Sequence, residues 1–158
     1  MQRFAVYYAP RPGAFASAAA DWLGRDAETG AIASSRQPLP DLTTTPRRYG
    51  FHGTIRAPFR PAPGLGRAEI SACIRALAQS QPKVTCAGLH LANLDGFLAL
   101  LPTVSKPGQH QALHDLAAAV LRATNPLRAP LSEADRARRR PESLTPHQRN
   151  LLETWGYP

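Results

Sequence analysis

The stretch Arg47-Arg48-Tyr49-Gly50-Phe51-His52-Gly53-Thr54-Ile55-Arg56-Ala57-Pro58-Phe59-Arg60 decides how this chain is read. It alternates like an extended strand, in which side chains at i and i+2 share a face. That spacing puts Phe51, Gly53, Ile55 and Ala57 on one side, and His52, Thr54 and Arg56 on the other. The first set suits a core. The second suits a phosphate: an imidazole exchanges protons near neutral pH, a hydroxyl hydrogen-bonds a non-bridging oxygen, and a guanidinium neutralises the anion. Tyr49 and Arg48 then stand at the rim, and Gly53 would let a neighbour pack closely behind the polar face. The competing reading is a core strand whose histidine only satisfies a local hydrogen bond, because His-x-Thr is short enough to recur by chance.

The surroundings favour an anion. From Leu42 to Ala68 there are five arginines (47, 48, 56, 60 and 67) and no acidic residue, within a chain of formal charge +8. Arg136, Arg138, Arg139 and Arg140 make a second cluster, which reads equally well as a solvated basic face. With 158 residues, 43% hydrophobic and 19% charged, the chain has the size and balance of one globular domain, 1–158. Its apolar runs are too short to span a bilayer, and no secretory signal opens it. Cys73 and Cys86 make neither a disulfide framework nor a metal pair with nearby histidines. A cytoplasmic protein with no membrane partner is the expectation.

Hydrophobic spacing places the other elements. Phe4, Val6 and Tyr8 alternate in a first strand stopped by Pro10 and Pro12, and Phe15, Ala18, Ala19, Trp22 and Leu23 mark a helix ended by Gly24. Residues 25–46 read as a long loop. Ile70, Cys73, Ile74 and Leu77 form the stripe of a helix over Arg67 to Ser80. Lys83 to Leu94 and Gly96 to Leu101 read as strands joined at Asn93-Leu94-Asp95-Gly96, the second apolar enough to be buried on both faces. Leu113, Leu116, Ala117, Val120 and Leu121 mark a helix from Gln109 to Ala123, whose His110 and His114 lack a third ligand and read as surface residues. Thr145-Pro146-His147-Gln148 is a capping box opening a last helix, with Leu151, Leu152 and Trp155 as its stripe and Gly156 as its stop. Helices on a largely antiparallel sheet make an α+β fold.

Several words of the sequence carry a resemblance. Phe4-Ala5-Val6-Tyr7-Tyr8-Ala9-Pro10, Trp22-Leu23-Gly24-Arg25-Asp26-Ala27-Glu28-Thr29-Gly30, the Arg47–Arg60 stretch, Asp95-Gly96-Phe97-Leu98-Ala99-Leu100 and the closing Leu144–Pro158 run in order over essentially the whole chain. They are similar to a bacterial family encoded near phosphonate-utilisation genes, a branch of the 2H phosphoesterase superfamily. The resemblance implies a two-lobed α+β fold with antiparallel sheets and flanking helices, the first lobe about 1–92. The second lobe would begin, with a helical insertion, over about 93–158. Each lobe would give one His-x-Thr or His-x-Ser strand to a shared cleft, where two histidines act as acid and base on a phosphodiester, often a cyclic one. His52 and Thr54 match the first motif, and Arg56 matches a position that is basic in many relatives. No cofactor or metal is implied, since the imidazoles do the work of a Lewis acid.

No second His-x-Thr or His-x-Ser follows: His90, His110, His114 and His147 are followed by Leu91-Ala92, Gln111-Ala112, Asp115-Leu116 and Gln148-Arg149. In the family the second motif comes shortly after the Trp-Gly-Tyr-Pro stretch, so the second lobe is expected to be incomplete and turnover impaired. The open sheet edge that this would leave suggests a homodimer. The expected partner is a small phosphodiester or nucleotide-like substrate. The alternatives are a non-catalytic basic module for RNA or nucleotides, which the arginine clusters favour, and an operon-accessory protein in which His52 is a core residue.

Overall fold

A computed structural model describes residues 2–32, 40–103 and 108–158. Among them the chain is a mixed α+β protein with two small two-stranded sheets and six α-helices. It divides into two compact units, residues 5–58 and residues 1–4 with 59–158. No helix among the described residues is long and apolar enough to cross a membrane.

In the 5–58 unit, β1 (Phe4–Tyr8) pairs with β2 (Gly53–Phe59), each strand reaching a residue past the unit's edge. Between them comes α1 (Ala14–Leu23), which buries Leu23 and stops at Gly24, a left-handed cap whose N–H donates to the Ala20 carbonyl. The loop read over 25–46 is partly structured, and its residues 33–39 lie outside the described residues. Asp26 folds its start, its Oδ1 accepting from the N–H groups of Glu28 (3.0 Å) and Thr29 (2.7 Å) and from the Thr29 hydroxyl (2.8 Å). Those bonds, Thr29's first, hold its carboxyl below the usual range. The loop's end forms α2 (Pro40–Thr43) and a 3-10 turn, Pro46–Arg48.

The larger unit rests on α3 (Arg67–Ser80) packed against α4 (Gln109–Thr124). Its core includes Phe59, Ile70, Val120 and Leu152. Thr124 is also fully buried, and its hydroxyl is satisfied by the Val120 carbonyl one turn back at 2.7 Å. Then come α5 (Glu133–Arg138) and α6 (Pro146–Trp155). The capping box of α6 forms as its sequence predicts: Gln148 N–H donates to Thr145 Oγ1 at 3.2 Å, and Thr145 N–H to Gln148 Oε1 at 2.9 Å. Asp135 gathers this unit, accepting from Arg3 at 3.0 Å, Arg60 at 2.6 Å, the Ser132 hydroxyl at 2.8 Å, and Arg138.

Between α3 and α4 stands a hairpin. β3 (Gly88–Leu94) pairs antiparallel with β4 (Phe97–Thr103), and Leu94 faces Phe97 across a two-residue turn. Asp95 and Gly96 both take positive φ (51° and 89°), the combination such a turn needs to follow the strands' twist. Here the structure corrects the sequence. β4 is not buried on both faces: Phe97 and Leu98 are more than half exposed, and on β3 Leu91, paired with Leu100, is 68% exposed. Apolar composition says that a strand can be covered. Only a layer packed on it makes it so, and none of the described residues supplies one on both faces. Residue 92, where the lobe boundary was expected, lies inside β3.

Candidate functional site

The phosphate-like constellation lies in the 5–58 unit and is built backward from Gly50. This residue has φ +72°, and a Cβ placed on it would sit 2.9 Å from the Ala27 Cα, so the Asp26 turn presses directly on its backbone. The Gly50 carbonyl in turn receives His52 Nδ1 at 2.9 Å. A carbonyl oxygen can only accept, so Nδ1 carries the hydrogen. The Nε2 of the neutral ring then keeps its lone pair. His52 is therefore held in the tautomer that can take a proton at Nε2.

Two phenol rings flank the imidazole. Tyr7, on β1, has its ring centroid 4.3 Å from that of His52 with the planes tilted by 44°, and Tyr49 stands edge-on at 5.9 Å. Burial, and secondarily the neighbouring Tyr49, push the Tyr7 hydroxyl up from its ordinary value, so at neutral pH it remains a donor. Phe51 points away from this group, its ring meeting Phe15 of α1 edge-on at 5.3 Å. The alternation expected here is thus real at residues 51 and 52. Phe51 is the anchor, and His52 is half-buried.

Further along, the pattern changes. His52 lies one residue before β2, and Thr54 is exposed on the strand. Arg56, expected on the same open face as an anion clamp, is 3% exposed. A buried guanidinium is not the open-face clamp that the alternation suggests. Gly53 is not a steric necessity either, since a Cβ there would meet Tyr8 Cβ at an ordinary 3.8 Å. Arg48 and Tyr49, expected at the rim, are both exposed. Tyr7 is the neighbour that sequence reasoning missed. It lies in a strand whose readable face was Phe4, Val6 and Tyr8, and its only signal was its place on the opposite face.

The arginines are more occupied than their clustering implies. Arg60 donates to Asp135, and Arg47 donates to the Thr43 hydroxyl at 2.9 Å. In the second cluster, Arg136 makes a two-bond pair with Glu153 (2.8 and 2.9 Å), Arg138 pairs with Asp135, and Arg139 stacks 4.6 Å over the Tyr157 ring. Such groups hold the protein together before they hold a ligand. Among the other histidines, His110 and His114 face each other 6.4 Å apart on α4, and His90 Nδ1 lies 3.4 Å from Thr103 Oγ1 across the hairpin. Among the described residues, no three His, Cys, Asp or Glu side chains come together as a metal site.

Comparison with known proteins gives two relatives and one family. The chain is 34% identical over 166 residues to the ribose 1,5-bisphosphate phosphokinase PhnN of Janthinobacterium sp. (strain Marseille), covering 100% of this chain and 36% of that protein. It is 38% identical over 163 residues to the ribose 1,5-bisphosphate phosphokinase PhnN of Laribacter hongkongensis (strain HLHK9), covering 99% of this chain and 36% of that one. The chain therefore spans about a third of the length of the curated relatives it matches. No solved structure matches it significantly. Residues 54–158, from Thr54 onward, match the family described as "Protein of unknown function (DUF1045)". That match covers most of the chain, and the chain belongs to the DUF1045 family.

Proposed function

We propose that the chain carries one half of a two-histidine phosphoesterase site of the 2H type, acting on a cyclic phosphodiester in phosphonate metabolism. The observation that supports this best is the His52 tautomer. Its Nδ1–H is committed to the Gly50 carbonyl, which leaves Nε2 as a proton acceptor two residues before the exposed Thr54. In this reading Nε2 takes a proton from the water that attacks phosphorus. Thr54 holds a non-bridging oxygen, and Tyr49 and Arg48 line the approach. A positioned acid or base of this kind contributes about 10²–10⁴-fold to rate. The chain holds one of the two histidines that the reaction class uses, so its own turnover is expected to be low. Arg56 has no part in the reading.

The relatives' names fit beside this one. Both are kinases of ribose 1,5-bisphosphate, but this chain has no phosphate-gripping Gly-Lys-Ser/Thr loop: its lysines are followed by Val84 and Pro107. We therefore assign the kinase chemistry to the two-thirds of the relatives that this chain does not match. The matched third performs a neighbouring reaction on the same sugar phosphate. Occupation of so many arginines by Asp135 and Glu153 argues against the non-catalytic RNA module.

The test is hydrolysis of a cyclic phosphodiester followed by ³¹P NMR, with the chain and its His52→Ala variant compared. The variant is expected to lose the rate by about 10²-fold or more while its circular dichroism is unchanged. Equal rates in the two proteins would remove His52 from the chemistry.

A further inference from the structure

The hydrogen on His52 Nδ1 is placed by a carbonyl, and the carbonyl is placed by a turn that has no part in the chemistry. Rings set against an imidazole, as Tyr7 and Tyr49 are here, orient its plane but do not choose which nitrogen holds the hydrogen. A hydrogen-bond acceptor does. That acceptor sits in the peptide between Gly50 and Phe51, and both ends of this peptide rest on the Asp26 turn. At one end, the place of a Gly50 Cβ lies 2.9 Å from Ala27 Cα and 3.0 Å from both Ala27 N and the Arg25 carbonyl oxygen. Backbone meets backbone there, with no side chain to yield. At the other end, Phe51 lines a small cleft together with Asp26, Ala27 and Glu28.

Asp26 keeps that turn in shape. Its Oδ1 accepts from the Glu28 N–H, the Thr29 N–H and the Thr29 hydroxyl. Its backbone closes the turn twice, Asp26 N–H donating to the Ala31 carbonyl at 2.9 Å and Gly30 N–H to the Asp26 carbonyl at 3.0 Å. Thr29 Oγ1 accepts from the Ala31 N–H at 3.2 Å, and Arg25 Nη1 donates to the Gly30 carbonyl at 2.9 Å. Asp26 is half-buried and Thr29 is exposed, so these bonds lie at the surface of the unit rather than in its core. Resting on the phosphoesterase reading above, we propose that Asp26 is a positioning residue for His52. Its carboxylate fixes the turn, the turn fixes the Gly50–Phe51 peptide, and the carbonyl of that peptide fixes the hydrogen on Nδ1. Nε2 is thereby kept as the lone pair that takes the proton of the attacking water. Close packing transmits displacement, so a turn that loosens releases the carbonyl, and the imidazole then shares its hydrogen between its two nitrogens.

The test reads the tautomer itself. With the chain labelled in ¹⁵N and the ring neutral, the nitrogens of His52 are expected to resonate far apart, one pyrrole-like and one pyridine-like. They are assigned by their loss in His52→Gln. Asp26→Ala is expected to draw them together, while Asp26→Asn, which keeps an Oδ1 to accept the same bonds, holds them apart. Thr29→Ala, at an exposed position, should move them in the same direction by less. His110 and His114 lie on α4 in the other unit and should stay unmoved in every variant. On adenosine 2′,3′-cyclic monophosphate, Asp26→Ala is expected to lower kcat about tenfold with KM unchanged. Nitrogens that stay apart in Asp26→Ala, or that converge as fully in Asp26→Asn, would overturn the role of Asp26 and leave the phosphoesterase reading in place. Should Asp26→Ala fail to fold, unmoved nitrogens in Thr29→Ala would overturn it equally. Undiminished hydrolysis in His52→Ala would remove the phosphoesterase reading, and the link from Asp26 to the imidazole, read without substrate, would stand.

Discussion

The segment around His52 and the β3–β4 hairpin are built from similar material and end in opposite conditions. Both are short extended segments rich in apolar and aromatic residues. Around His52 the rings turn toward one another and toward a polar atom whose hydrogen is already placed. On the hairpin, Leu89, Leu91, Leu94, Phe97 and Leu98 are exposed to solvent, held in line by the ladder and by the Asp95-Gly96 turn. The difference teaches that local geometry and coverage are separate problems. A turn and a register can be specified completely by sixteen consecutive residues, and the strands can still find little cover among the described residues.

The sharpest way to measure that difference is to remove equal side chains from a covered and an uncovered place. Leu152→Ala, in the core of the larger unit, is expected to cost about 2–5 kcal/mol in urea denaturation. Leu91→Ala belongs at the other end of the scale, within about 0.5 kcal/mol. A cost for Leu91→Ala as large as that for Leu152→Ala would mean that the hairpin is covered in solution, and the contrast would fail.

Between these extremes lies Gly50→Ala. Its positive φ and its contact with Ala27 predict a loss of about 1–3 kcal/mol. That variant should also displace the His52 ring resonance, because the carbonyl that fixes the tautomer moves with Gly50. An unmoved resonance would separate the turn from the site.

An effect that acid removes belongs to Asp135. The Ser132 hydroxyl first, then the Ser132 N–H and Arg60, hold its carboxyl far below the usual carboxylate range. A folded-state pKa depressed in this way gives stability that is present above the ordinary carboxylate value and lost as pH falls through the folded one. Asp135→Asn should therefore be less stable than the parent at neutral pH, and the gap should narrow on acidification below about pH 4. A gap that stays constant with pH would show that Asp135 acts by shape alone.

Much of the fold could be read from local pattern. The α3 stripe gave Arg67–Ser80 as observed, the Thr145 box opened α6, and the Asp95-Gly96 pair turned the hairpin, because each of these is decided within a few residues of itself. The burial of β4 was misread because apolar character is a property of the residue, and cover is a property of distant chain. The candidate site divided in the same way. Phe51 as anchor and His52 as the half-open polar group follow from alternation. Arg56 did not keep to the solvent side, and Tyr7 came from a strand forty-five positions away, beyond the reach of any spacing rule.

The Asp135 cluster has a temporal consequence. Arg3 is joined to it across 132 positions and Arg60 across 75, whereas the hairpin closes on itself within a few residues. During synthesis the hairpin can form as soon as Thr103 has left the ribosome. Arg3 must wait, unlatched, until the helix that carries its acceptor has emerged. Closure over so long a separation is slow, so the contacts of Arg3 and Arg60 with Asp135 are secured after the hairpin.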